Sequence, residues 1–237
     1  MHGRRGRGCA GGRIGIVDGM VWVTVLDLLL PSVCPQCRVA AGPLLCLACA
    51  EQLEELADPC PWCGEPRAGA ARCPVCDDRG LPHCDRVTVQ WVYDGTLRNL
   101  VSIAKIEGRA AAVRACTALL PPIDPLPEAV IVPVPPAPGR RPGPHLATAL
   151  AAALARRHRL PLRRLLRQAR PAAEQHRLSR SDRARNVEDL FIAAPVTVPV
   201  VLVDDLITSG ATIAAAAAAL GAAGAPRVHA VALGRTV

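Results

Sequence analysis

Residues 198–220 constrain the chain more than any other stretch, reading V-P-V-V-L-V-D-D-L-I-T-S-G-A-T-I ahead of an alanine-rich run. Val198, Val200, Val201, Leu202 and Val203 form a β-branched block of the kind buried on both faces of a parallel sheet, and it stops at Asp204-Asp205. Thr208-Ser209-Gly210-Ala211-Thr212 then sets a glycine among three hydroxyls, and Ala214 to Leu220 is so helix-prone that the loop must open onto a helix N-terminus. Backbone N–H groups in such a loop lack intrahelical partners, a glycine lets an anion approach them, and the helix dipole favours negative charge.

The two carboxylates repel phosphate but suit vicinal hydroxyls or Mg²⁺, so the expected ligand carries both a phosphate and a diol. A plain strand, turn and capped helix would not need two adjacent acids and a hydroxyl-rich loop together. A Walker phosphate loop is excluded, because G-x-x-x-x-G-K-[ST] does not occur.

Cysteine spacing supplies the second constraint. Cys34-x-x-Cys37 precedes Cys46-x-x-Cys49, and Cys60-x-x-Cys63 precedes Cys73-x-x-Cys76. Paired C-x-x-C turns offer two ligands each to a tetrahedral zinc ion, so two structural zincs in ribbon-like knuckles are expected, with four thiolates per ion leaving no open position for catalysis. Sequential quartets are the simplest pairing, and interleaved pairing satisfies the same spacing. Disulfides fit poorly, since the regular spacing is unsuited to bridges between distant elements and a reducing compartment disfavours them. Cys9, Cys84 and Cys116 fall outside the pattern, although His83-Cys84 leaves a swapped ligand open.

A chain of 237 residues with 51% apolar content can bury a sizeable core, which suits one α/β domain and a smaller companion. The one candidate membrane stretch, near the N-terminus, is interrupted by Asp18 and Asp27 and falls short of the ~18 apolar residues a span requires. Those acids and the metal-type cysteines also argue against export, so a cytoplasmic protein is expected. Residues 1–19 are glycine- and arginine-rich without periodicity, whereas Met20 opens V-W-V-T-V-L-D-L-L-L. They read as a disordered leader or a mis-assigned start, with residues 20–33 as an N-terminal helix. The formal charge of +8 overstates the field, because that leader holds four arginines and two zinc ions on eight thiolates would subtract more.

Beyond the cysteines, Asp85 to Tyr93 alternates like a strand and Thr96 to Ile106 reads as a helix ending near Lys105. A second helix from Ala110 to Leu120 and a buried-type strand from Ala129 to Val134 follow. The strand runs into P-V-P-P-A-P-G-R-R-P-G-P-H, a rigid loop where Arg140 and Arg141 are candidates for a pyrophosphate. His145 to Arg157 is expected to be helical, Leu160 to Leu166 a short strand or turn, and Arg227 to Leu233 the last strand. Residues 156–185 hold eleven arginines against Glu174 and Asp182.

The string V-D-D-L-I-T-S-G-A-T closely resembles the phosphoribosyl-pyrophosphate (PRPP) motif of type I phosphoribosyltransferases. Together with D-L-L-L-P, the cysteine knuckles, Y-D-G-T-L-R, V-P-V-P and Q-x-x-L-S-R-x-x-R-x-x-N-V in this order, it resembles the ComF family over residues 20–237. That resemblance implies a double zinc ribbon at 34–80 and, at 81–237, an α/β domain with the parallel sheet of type I phosphoribosyltransferases. It further implies Asp204 and Asp205 as catalytic residues at the ribose hydroxyls, and Thr208, Ser209, Gly210, Ala211 and Thr212 around the 5-phosphate. Lys105, Arg140, Arg141, Arg183 and Asn186 would complete the ligand site, with PRPP and Mg²⁺ bound there. The chain departs from the family pattern at Lys105-Ile106-Glu107-Gly108 and at Arg140-Arg141-Pro142-Gly143-Pro144-His145. Two roles follow and stay open: a phosphoribosyltransferase-like protein of DNA uptake or nucleotide metabolism, or a non-catalytic competence factor that contacts single-stranded DNA and a helicase. Trp22, Trp62, Trp91, Tyr93 and Phe191 are too scattered for a base-stacking platform, so DNA binding would be electrostatic.

Overall fold

The computed structural model describes residues 33–39, 44–124, 126–136, 145–169 and 190–237. Its architecture is mixed α/β, with parallel sheets beside two four-cysteine clusters. In chain order the elements are α1 (Leu47–Ala50), β1 (Arg86–Thr88), β2 (Trp91–Val92), α2 (Gly95–Ser102), a π-helical segment (Ile103–Glu107), α3 (Ala110–Ala118) and β3 (Val130–Pro133). There follow α4 (Leu146–His158), β4 (Leu166–Gln168), β5 (Phe191–Ala193), β6 (Val200–Val203), β7 (Leu206–Ile207), α5 (Ala211–Ala222), β8 (Val228–Val231) and β9 (Gly234–Arg235).

The main sheet has the order β1-β8-β6-β3 and all its pairs are parallel. Strands β3, β6 and β8 are buried along their whole length, as their unbroken Val/Ile/Leu/Ala-rich runs require of a sheet covered on both faces. Alternation divides the core in two. Val130, Val132, Val200 and Leu202 pack with Ile213, Ala216, Ala217 and Leu220 of α5, while Ile131, Val201, Val203 and Val231 pack with α2, α3 and α4 through Leu97, Leu100, Ala115, Leu150 and Leu154. His229, buried in β8, shares a 2.8 Å hydrogen bond with Thr88.

A second parallel sheet, β2-β9-β7, continues the first, since its strands follow directly on β1, β8 and β6 and keep the same neighbours. Backbone bonds bridge the break: Ala232 N–H donates to Thr88 O, Asp204 N–H to Val231 O and Leu233 N–H to Asp205 O. The acidic pair therefore sits where β6 kinks into β7. The expected direct passage from strand through loop to helix is corrected here, because Leu206-Ile207 forms a short strand before the loop begins.

Three other expectations need adjusting. The strand expected over Asp85 to Tyr93 is split at 89–90, and the helix expected over Thr96 to Ile106 turns π-helical from Ile103. Leu160 to Leu166 yields a single-residue bridge at Leu162, with the strand β4 beginning at Leu166 and pairing antiparallel with β5. The leader at 1–19 and nearly all of the expected helix at 20–33 lie outside the described residues. No helix among the described residues is long and apolar enough to cross a membrane.

Candidate functional site

Interior strand β6 carries Asp204-Asp205 out of its carboxyl end, the side of a parallel sheet where crevices form. Asp205 continues the parity of Val201 and Val203 toward the α2–α4 layer and is 6% exposed. Its Oδ1 accepts a 2.9 Å charge-assisted hydrogen bond from Lys105 Nζ. Lys105 reaches it from the π-helical segment, whose widened turn is a frequent mark of functional positions. Asp204 turns back on the chain, its Oδ1 accepting the Asp205 N–H at 2.8 Å. Burial pushes the Asp204 carboxyl up to about 7 and the charge on Asp205 adds to this, while the Asp205 N–H and Lys105 oppose it.

Beyond β7 the loop presents its hydroxyls. Thr208, Ser209, Ala211 and Thr212 are exposed, whereas Gly210 is buried and left-handed at φ +80° as the N-cap of α5. A side chain at Gly210 would place its Cβ 2.6 Å from Leu81 Cδ2, so both the backbone angle and the neighbour select glycine. Ser209 Oγ accepts the Ala211 N–H at 3.4 Å, and the Gly210 carbonyl accepts from Ala214. Arg140, Arg141, Arg183 and Asn186 lie outside the described residues, so their place relative to the acidic pair stays an expectation of the sequence. A separate cavity of about 500 Å³ opens at the carboxyl end of β3, between Pro135, Pro136, His145, Thr148 and Arg164; neither the acidic pair nor residues 208–212 line it.

The cysteines assemble as sequential quartets, Cys34, Cys37, Cys46 and Cys49, then Cys60, Cys63, Cys73 and Cys76, with the donor atoms of each within 4.8 Å of one another. The sulfurs of Cys37 and Cys46 lie 3.6 Å apart, those of Cys60 and Cys76 3.8 Å, and those of Cys63 and Cys73 3.5 Å. A tetrahedron with ~2.3 Å metal–sulfur bonds has edges of about 3.8 Å, so both clusters have the dimensions of a zinc site, and every described cysteine is a free thiol. Arg38, Gly64 and Asp77, each just after a knuckle's second cysteine, take positive φ and fold the turn back on itself. Burial pushes the Cys34 and Cys73 thiols up, but backbone N–H groups aimed at their sulfurs win and bring each down to about 7. Burial and the neighbouring thiols hold Cys49 and Cys63 far above the ordinary range, where a cation is needed to draw off the proton.

The swapped ligand that His83-Cys84 left open is not realised. Cys84 belongs to neither cluster, its thiol donates to the Arg86 and Val228 carbonyls, and burial pushes it up to about 11.

Two contacts escaped the sequence reading. Lys105 and Asp205 were each candidates, but nothing local pairs residues a hundred positions apart. Arg235 bonds Glu65 through Nε at 2.7 Å and also through Nη2, and its Nη1 donates to the Cys63 carbonyl at 3.1 Å. An arginine closing the apolar run V-H-A-V-A-L-G was the available signal, since a 4% exposed guanidinium needs a partner.

In comparisons with known proteins, no family model matches the chain and no curated protein matches it.

Proposed function

We propose that this chain is a phosphoribosyltransferase-like protein that binds PRPP, or a related phosphoribosyl ligand, together with Mg²⁺. The observation that carries the reading is one run of chain: an acidic pair at the carboxyl end of an interior parallel strand, then exposed hydroxyls around a left-handed glycine at the start of a twelve-residue helix. Loop N–H groups and the hydroxyls of Thr208, Ser209 and Thr212 hold the 5-phosphate. The carboxylates of Asp204 and Asp205 accept from the ribose diol, and the burial and Asp205 charge that lift Asp204 are offset when those hydroxyls donate to it or a cation arrives. Lys105 orients Asp205. Mg²⁺ bound with the ligand neutralises the pyrophosphate. Each four-cysteine cluster holds a structural zinc, as its thiolate-only, closed donor set implies.

The alternative role on single-stranded DNA draws little from the described residues, among which Trp62 is the one exposed aromatic side chain. In both roles the pocket takes the same ligand, so binding is the test. Thermal melts with PRPP and Mg²⁺ should show stabilisation of about 2.7 kcal/mol at a hundredfold excess over Kd. In Asp204→Asn/Asp205→Asn the protein should stay folded and most of the shift should be lost, leaving only what the loop's hold on the phosphate supplies. No shift in wild type, or an equal shift in the double variant, would leave the loop a structural turn.

A further inference from the structure

The second cysteine cluster does not stand apart from the loop at 208–212. Two backbone carbonyls of its first knuckle reach toward that loop by separate routes. The Trp62 carbonyl accepts the Leu81 N–H at 3.1 Å, and the Leu81 side chain packs both on the cluster cysteines and on the main core. From there it covers Gly210 so closely that no Cβ fits. The Cys63 carbonyl accepts from Arg235 Nη1. Arg235 lies in β9 opposite Ile207, and the next residue, Thr236, donates its N–H to the Ile207 carbonyl at 3.1 Å. Ile207 is the last residue before the loop. The loop is therefore held at its entrance and at its middle by one four-residue turn, Cys60 to Cys63.

We infer that Leu81 and Arg235 are positioning residues of the phosphate loop, and that metal in the Cys60/Cys63/Cys73/Cys76 cluster, unlike metal in the first, sets the loop's shape and so its affinity for a phosphorylated ligand. The affinity half rests on the phosphoribosyl reading; the coupling half does not. A metal ion fixes the Cys60–Cys63 turn by two of its four bonds, and without it the two carbonyls lose their fixed positions. The first cluster's contacts run elsewhere: Leu45 and Leu53 pack on the core beside α2–α4, and the segment after it is tied by backbone bonds to Gln90 and Val92, on the β1–β2 side of the sheet, with no hydrogen bond to residues 207–212 among the described residues.

Hydrogen exchange on the full chain, without ligand, tests the coupling. Exchange at residues 207–214 should speed up about tenfold or more in Leu81→Ala, with metal content unchanged, and return toward wild type in Leu81→Met. Arg235→Met should do the same and Arg235→Lys less. Cys73→Ser should loosen the loop, while Cys46→Ser should leave it as it was. Unchanged loop exchange in Leu81→Ala, or equal loosening in Cys46→Ser, overturns the inference. Ribose 5-phosphate titrated into the same proteins then tests the affinity half: binding to wild type that weakens about tenfold in Leu81→Ala supports it, and equal binding overturns it. Wild type that ignores ribose 5-phosphate sinks the phosphoribosyl reading, and the affinity half with it, while the exchange result still decides the coupling.

Discussion

The two cysteine clusters use the same four donors and occupy different positions in the molecule. Both bury cysteines, with Cys34 and Cys49 at most 4% exposed in the first and Cys60, Cys63 and Cys73 at most 2% in the second, and both leave apolar neighbours exposed, Leu47 at 52% beside the first and Val75 at 63% beside the second. The first is joined to the body by Leu45 and Leu53, which pack on the core beside α2–α4, and by the strand-like segment that follows it, where Leu56 N–H donates to Gln90 O and Val92 N–H to Glu54 O at 2.8 Å. Arg235, Glu65 and Leu81 join the second cluster to the core beside the loop at 208–212. Identical donor sets thus lie beside the β1–β2 side of the sheet in one case and against the loop at 208–212 in the other. What separates them is the neighbours of the knuckle carbonyls, which the C-x-x-C spacing does not encode.

The widest predicted gap lies in stability. Cys63→Ser should cost more than about 4 kcal/mol, in the exceptional range for one substitution, because it removes a buried ligand and disturbs the carbonyl that holds Arg235. Cys49→Ser should cost about half as much. Denaturant unfolding, with metal analysis expected to find two zinc ions per wild-type chain, checks both; equal losses would erase the distinction.

Next comes the contact between cluster and loop. Gly210→Ala should cost about 2 kcal/mol, part from φ +80° and part from the 2.6 Å overlap with Leu81. A double-mutant cycle with Leu81→Ala separates the two, since only the overlap couples; a coupling of about 1 kcal/mol is expected. Additive losses would mean that Leu81 does not shape the loop.

A smaller effect is expected at the acidic pair. Asp204 is raised from 3.8 to about 7 by burial and by Asp205, so between those values the folded chain binds the extra proton. The stability this group contributes is full below its unfolded value and is lost as pH rises toward 7. The amide that Asp204→Asn introduces cannot titrate, so wild type should weaken relative to the variant by on the order of 1–2 kcal/mol from pH 5 to pH 7, and denaturation at both values measures it. A parallel pH course in the two proteins would show Asp204 to be ionised throughout.

Local physics made much of this legible in the sequence. A short, valine-rich apolar run ended by two acids favours a strand covered on both faces, so Val200–Val203 was legible, as was the α5 run behind Gly210. The eight cysteines and their knuckles were evident from the spacing, whereas the sequential pairing was one of two that the spacing allowed until the quartets were seen assembled. Lys105 on Asp205, Leu81 on Gly210 and Arg235 on Glu65 were not, because each joins residues a hundred or more positions apart and depends on which strands neighbour β6 and β7. The β6–β7 kink was hidden for the same reason: Leu206-Ile207 reads as the start of a loop until β9 is found beside it.

On the proposed reading Asp204 and Asp205 recognise a diol and the loop a phosphate, and one calorimetric titration separates these roles. Ribose 5-phosphate and 2-deoxyribose 5-phosphate share the phosphate and differ by one hydroxyl. With Mg²⁺ present, both should bind wild type, the ribose form about tenfold more tightly, as one hydrogen bond to a charged group of about 1.5 kcal/mol implies. In Asp204→Asn/Asp205→Asn that preference should collapse while the residual phosphate-driven binding of the two sugars becomes equal. Equal affinities in wild type, or a preference that survives the double substitution, would contradict the account.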